Sequence, residues 1–294
     1  MLFIPITIGA AALQVARNAM QKSLLEGGGP WGATLVRFLF GLPFSLVFVG
    51  MAFAIWPHAE PDFNPRFWLM SAVGGLAQIA ATAALLVSIQ RSGFGLAAVF
   101  QQSSLPFAAV MGWLVLGEGL TGSGWLGIVL ASLALFVLSW PTRGVIAVGG
   151  PGGAVLGLLS GALYAVALNA FRAASLALEP TYPVVAAVLT NSVTQAVQAA
   201  GMVLWLVARD RSALMAVLRA WRQSLGAGFF GAAASALWLV ALGLAPAAQV
   251  RAVGVLEMPI AAMTGRKLFA ERLSFRQVML GALVAIGVVL AALG

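Results

Sequence analysis

The chain has 294 residues, 62% of them hydrophobic and 8% charged, with mean hydropathy +1.01 and formal net charge +8. A soluble domain of this composition would leave large apolar areas in water, so lipid is the solvent. The absence of Cys excludes disulfides, thiolate nucleophiles and Cys-ligated metals. Basic residues gather at the ends of apolar runs instead of forming one patch with aromatics, which argues against nucleic acid and for orientation in a membrane and contact with anionic headgroups.

A crossing needs roughly 20 mostly apolar residues. Ten such stretches follow one another, at residues 2–22, 31–56, 67–90, 96–116, 122–140, 152–176, 183–208, 223–244, 248–268 and 275–293. The runs are long and continuous rather than alternating, so the predicted fold is an all-α membrane protein and not a barrel. The first run is not read as a cleaved leader: nothing basic precedes it, and it carries Gln14, Arg17 and Asn18. The single His, His58, lies in a loop between Pro57 and Pro61 and has no partner for a metal or a Ser/His couple.

An internal repeat organises these runs. Residues 106–121 (PFAAVMGWLVLGEGLT) return 153 positions later at 259–274 (PIAAMTGRKLFAERLS). Pro106 answers Pro259, Gly112 answers Gly265, Glu118 answers Glu271, and Thr121 answers Ser274. A weaker match sets Asn18 against Asn169. Each half then holds five spans, residues 1–140 and 152–294, with 141–151 as a short Gly-rich linker. Five is odd, so the second half starts on the opposite side of the bilayer, and the halves form an inverted pair around a central cavity. Loops after odd-numbered spans hold eleven Lys or Arg, among them Arg91, Arg143, Arg209, Arg211 and Arg219, against Arg66 and Arg172 after even ones. That bias places both termini outside the cytoplasm.

Polar side chains within a span are expensive and face a bundle interior or a wet cavity. The third span has Ser71, Gln78 and Thr82; the fourth, Gln101 and Ser104; the seventh, Asn191, Thr194, Gln195 and Gln198; the eighth, Ser235 and Trp238; the ninth, Arg251 and Glu257. In the repeat register Thr82 maps to Ser235, Gln101 to Gly254 and Ser104 to Glu257, so the same faces are polar in both halves. The expected substrate-binding set is Gln78, Thr82, Gln101, Ser104, Tyr164, Ser235, Trp238 and Glu257; bonding between packed helices is the bland alternative for each Ser and Thr. Arg251 and Glu257, about 600° apart on one helix, should not share a face, and Arg37 is a candidate mate for Glu257. That carboxylate reads equally as a proton relay, as a counter-ion for an ammonium group, or as a static ion-pair member.

Other features read as structural. Glu118 and Glu271 precede the next helix and are expected to cap its first turn. Glycines at 149, 153, 157 and 161 form a small-xxx-small packing stripe. No glycine-rich loop is followed by Lys and Ser or Thr, so an ATP-driven pump is excluded. Pro106 and Pro259, read as midway along their spans, permit symmetric kinks, either hinges or fixed bends.

Two five-span halves, each ending in P-x11-E-x-L-[TS] and a last apolar span, resemble the drug/metabolite transporter superfamily and its EamA-like ten-span family. Within that group the nearest likeness is to the YddG-type aromatic amino acid exporters. The resemblance implies export of a small metabolite from a bacterial cytoplasm through a multi-pass protein of the inner membrane. It also sets two departures in view. Glu257-Met258-Pro259 inserts a residue where relatives often have Glu directly before Pro, and Gln14 stands nearest to where small multidrug exporters use a coupling Glu. The expected function is a secondary transporter of amino acids, aromatic or otherwise neutral, working by alternating access. Hydrophobic cationic drugs are the alternative cargo, and a non-transporting scaffold or receptor the alternative class. Its partners are then a small-molecule substrate and membrane lipid, with no nucleic acid, cofactor or metal; the chain is read as a monomer and not as an enzyme.

Overall fold

The computed structural model describes residues 1–92, 100–139, 146–257 and 275–294. Its helices are α1 (Phe3–Leu39), α2 (Leu42–Ile55), α3 (Pro65–Ser92), α4 (Ser104–Leu116), α5 (Gly122–Ser139), α6 (Ile146–Leu178), α7 (Pro183–Arg209), α8 (Arg211–Arg219), α9 (Trp221–Leu244), α10 (Ala247–Gly254) and α11 (Phe275–Leu293). Among the described residues four helical stretches are long and apolar enough to cross a bilayer, Trp31–Ile55, Pro65–Arg91, Gly152–Leu178 and Trp221–Leu244, and shorter apolar helices accompany them. This is a multi-pass helical membrane protein.

The expected boundaries agree with helix ends to within two residues for the third, fifth, seventh, eighth and tenth stretches and shift elsewhere for local reasons. Helix α1 does not stop at residue 22 but continues to Gly29, where φ 61° and ψ −173° interrupt it. Glycine tolerates that φ, and Pro30 behind it disfavours the helical region for the residue before a proline. The second span divides at Phe40–Gly41, because Pro43 in the first turn of α2 has no N–H to carry the ladder across. Helix α6 begins at Ile146, so the last residues of the expected linker are helical. Residues 141–145 of that linker, and the second copy of the repeated motif from Pro259 through Gly265 and Glu271 to Ser274, lie outside the described residues.

Chain contacts divide the protein into two units: Met1–Ile79 with Ala170–Ala245, and Ala80–Asn169 with Pro246–Gly294. In the first unit, Leu35, Val36 and Phe38 of α1 pack on Ala199, Met202 and Leu206 of α7 and on Ala213 and Val217 of α8. Ala52 of α2 joins Val185 and Val188 of α7 and Ala236 of α9 in a second cluster. Glycines let α9 reach α1: a Cβ on Gly228 would sit 2.8 Å from that of Phe40. The end of α9 is closed by Arg172, whose guanidinium donates to the carbonyls of Leu242 and, at 2.7 Å, Ala245, as cations at a helix C-terminus do.

The second unit is held by the crossing of α5 and α11. A Cβ on Gly287 would lie 2.7 Å from both Ala131 N and Gly127 O, and one on Gly127 would lie 2.5 Å from Gly287 O. Gly127/Ala131 and Gly287/Ala291 are thus facing small-xxx-small pairs with backbones in contact. Gly281, on the same helix, has nothing among the described residues within 4 Å of its Cβ position. Gly287→Ala should destabilise the detergent-purified protein by about 1–3 kcal/mol through overpacking against backbone. Gly281→Ala should leave the thermal midpoint unchanged or raise it, since Gly in a helix costs about 1 kcal/mol relative to Ala.

Residues 209–222, expected as a loop, contain helix α8. Asp210 caps it: its side chain accepts from Ala213 N at 3.0 Å and from the Ser212 hydroxyl at 2.6 Å. The Ser212 hydroxyl, and after it the Ala213 amide, hold the Asp210 carboxyl below the usual carboxylate value. A lowered folded pKa adds stability that is fully present above the unfolded value, about pH 4, and is lost as pH falls through the folded one. Hydrogen-exchange protection factors of the α8 amides, measured against intrinsic rates at each pH, should therefore fall below about pH 4, and Asp210→Ala should give the lower protection already at neutral pH.

Candidate functional site

In the second unit the polar side chains gather around Arg251 of α10, which is 7% exposed. Its Nε donates to Ser104 Oγ at 2.8 Å and its Nη2 to Gln102 Oε1 at 2.8 Å. The Glu257 carboxylate and the Tyr164 phenol act electrostatically on the same guanidinium. Tyr164 of α6 in turn shares a 3.0 Å hydrogen bond with Thr82 of α3. Ser104, Tyr164, Thr82 and Glu257, four of the expected residues, are thus linked directly or electrostatically through one buried cation.

Local chain breaks create this arrangement. Helix α10 ends at Gly254, with Val255 N and Leu256 N turning back onto Ala252 O and Val253 O. The angular count that separates Arg251 from Glu257 holds for an unbroken helix, and the turn at residues 255–256 interrupts the helix between them. Likewise the chain turns at Gln102 and Ser103 before α4 starts at Ser104. The turn gives Gln102 (8% exposed) the contact with Arg251. Gln101 is half-buried, with its carbonyl 3.0 Å from a Cβ placed on Gly161. Gly161 thereby brings α6 against this turn, and Gly153 O accepts from Ser88 Oγ of α3 at 2.7 Å.

The repeated motif acquires a local role in its first copy. Pro106 falls in the first turn of α4, directly after the turn at Gln102 and Ser103; its missing N–H cannot carry the helical ladder back across that turn, as with Pro43 at the start of α2. Gly112 O accepts from both Gly117 N and Glu118 N, the latter at 3.1 Å, with Gly117 left-handed at φ 68°, a C-terminal cap of α4. The first turn of α5 is capped by Thr121, whose Oγ1 accepts from Gly124 N at 3.2 Å. Gly112 also leaves room for Asn169, whose Oδ1 would be 3.1 Å from a Cβ there. The Asn169 amide donates to Ala108 O and Ala165 O at 3.2 and 3.0 Å.

In the first unit, Arg37 Nη2 donates to Ser235 Oγ at 3.2 Å, Trp238 Nε1 to Gln14 Oε1 at 3.0 Å, and Gln198 Nε2 to Gln78 Oε1 and Gly75 O, both at 3.0 Å. Arg17 forks its Nε and Nη2 onto Asn18 Oδ1. Arg17 and Arg37, each 6% exposed, flank Gly231, with Arg17 Cδ and Arg37 Cγ 3.3 and 3.5 Å from its Cβ position. Along α7, Thr194 bonds back to Thr190 O at 2.6 Å, a purely local satisfaction. Gln195, 2% exposed, differs: neither of its amide atoms has a hydrogen-bond partner among the described residues, nor has Nδ2 of Asn191 one turn earlier. Three participants escaped the sequence reading as site residues, Gln102, Asn169 and Arg17; only the match of Asn18 to Asn169 hinted at one of them.

The first five helices carry a recognisable signature. Residues 2–140 match the EamA-like transporter family. The match spans 139 of the 294 residues and includes Thr82, Gln102 and Ser104 but not Tyr164, Arg251 or Glu257. A solved crystal structure superposes with TM-score 0.69 at 16% identity, covering 100% of this chain and 99% of that one, which speaks to the fold alone. No curated protein matches the sequence.

Proposed function

We propose that this protein is a secondary transporter that exports small zwitterionic metabolites, amino acids above all, across a bacterial inner membrane by alternating access. The observation that carries the reading is the Arg251 cluster. A guanidinium fixed by two neutral acceptors suits a carboxylate bidentately, and the Glu257 charge beside it suits an ammonium. A zwitterion supplies both. Tyr164, in the same cluster, offers an apolar ring face to an aromatic side chain, in keeping with the likeness to the YddG-type aromatic exporters. The buried arginine works against the alternative cargo of hydrophobic cations, which carry no anionic group to meet it.

The division into units supports the duplicated ten-span architecture. One unit draws on the first, second, seventh and eighth expected spans, and the other on the fourth, fifth, ninth and tenth. An inverted pair of halves interleaves its spans in this manner. The match of residues 2–140 to a transporter family supports the functional class, and the Lys/Arg bias favours termini outside the cytoplasm.

Purified protein in liposomes loaded with a panel of labelled amino acids, assayed at two pH values, tests the reading. Efflux of one or more aromatic or neutral amino acids is expected, and a pH dependence of that efflux would report proton coupling. Flux of hydrophobic cations with none of any amino acid would establish the other cargo.

A further inference from the structure

The segment from the end of α7 to the start of α9 has a composition that suits neither water nor hydrocarbon. Helix α8 turns Ala213 and Val217 inward against α1 and α7, and Val217 Cγ2 lies 3.1 Å from the Cβ position of Gly32. Its outward face shows Met215 and Leu218, 46% and 42% exposed, together with Arg211 and Arg219. Exposed Trp205 and Trp221 stand at the neighbouring helix ends, and Trp31 meets Trp205 with ring centroids 6.1 Å apart. The guanidinium of Arg209 lies 5.5 Å from the Trp205 ring and that of Arg222 5.3 Å from the Trp221 ring. Within residues 205–222 four arginines face a single acid, Asp210, which is engaged as the cap of α8.

We propose that α8 is an in-plane interfacial helix whose outer face binds the headgroup layer of anionic phospholipid. A surface in water would not present Met215, Leu218 and, on the adjoining helix ends, three exposed Trp; one in hydrocarbon would not present Arg211 and Arg219 with Arg209 and Arg222 beside them. The boundary accepts both: tryptophans favour the headgroup level, apolar side chains enter the upper acyl region, and arginines extend to phosphate. Juxtamembrane basic residues gain from an acidic leaflet, and the excess of arginine over acid here selects acidic over zwitterionic lipid. The same charge bias places this end at the cytoplasmic face under the orientation rule.

The test uses the full chain in nanodiscs and reads tryptophan emission, with Trp205→Phe/Trp221→Phe protein subtracted to isolate these two rings. Brominated phosphatidylglycerol should quench them in preference to brominated phosphatidylcholine by about fivefold or more, and molar salt should weaken the preference. Arg209→Gln/Arg211→Gln and Arg219→Gln/Arg222→Gln, made as separate pairs so that folding is retained, should each reduce the preference, and all four together should abolish it. Equal quenching by both lipids in the unaltered protein overturns the selection of acidic lipid. Absence of quenching by either overturns the interfacial placement itself.

Discussion

Under the proposed function Arg251→Gln should lower amino acid flux by roughly a hundredfold, because it would remove a charged hydrogen bond to the substrate carboxylate worth about 1.5–3 kcal/mol and take the positive charge away from Glu257. The substitution also strands the acceptors on Ser104 and Gln102. Removing one member of a buried charge network costs about 3–5 kcal/mol of stability, so loss of flux alone does not separate the two effects. Arg251→Lys does. It keeps the positive charge, but a lysine cannot reproduce the fork that spans Ser104 and Gln102. It should fold with a thermal midpoint near that of the unaltered protein and raise KM about tenfold, with kcat changed less. Equal loss of flux and of folded protein in both variants would assign Arg251 a structural role only.

Gln195→Leu makes the protein more stable and a poorer carrier. Both amide atoms of Gln195 are buried without a hydrogen-bond partner among the described residues, and an unmet buried polar group costs about 1–3 kcal/mol. Leucine has nearly the same length and nothing to satisfy. The side chain sits where the chain breaks between α1 and α2, with Nε2 2.7 Å from the Cβ position of Gly41, so a small upward shift of the thermal midpoint is expected instead of a cavity. Flux should fall severalfold in the same protein. Higher stability with full transport would mean that the amide has no part in the cycle; lower stability would mean that it has a structural partner after all.

The apolar runs made most helices readable, since in lipid a long run without charge has few alternatives to a helix. They concealed the breaks. Residues 40–41, 102–103 and 255–256 are apolar or neutral where the chain leaves the helix, and hydropathy does not register a turn that is buried in protein. Two features of the site follow from these breaks: Gln102, beside the expected Gln101, reaches Arg251, and the helix that would fix the angle between Arg251 and Glu257 is interrupted between them. Helix α8 was hidden for the opposite reason, because its arginines interrupt the apolar pattern within nine residues and a short charged stretch between spans reads as loop. Ser104, Thr82, Tyr164 and Glu257 stand out in the sequence because intramembrane polarity is rare enough for each instance to carry information.

The most direct test compares efflux of labelled phenylalanine with that of phenethylamine, its decarboxylated counterpart, from proteoliposomes of the unaltered protein. A carrier whose buried guanidinium holds the substrate carboxylate exports the amino acid and leaves the amine behind. Equal export of the two, or export of the amine alone, would contradict it.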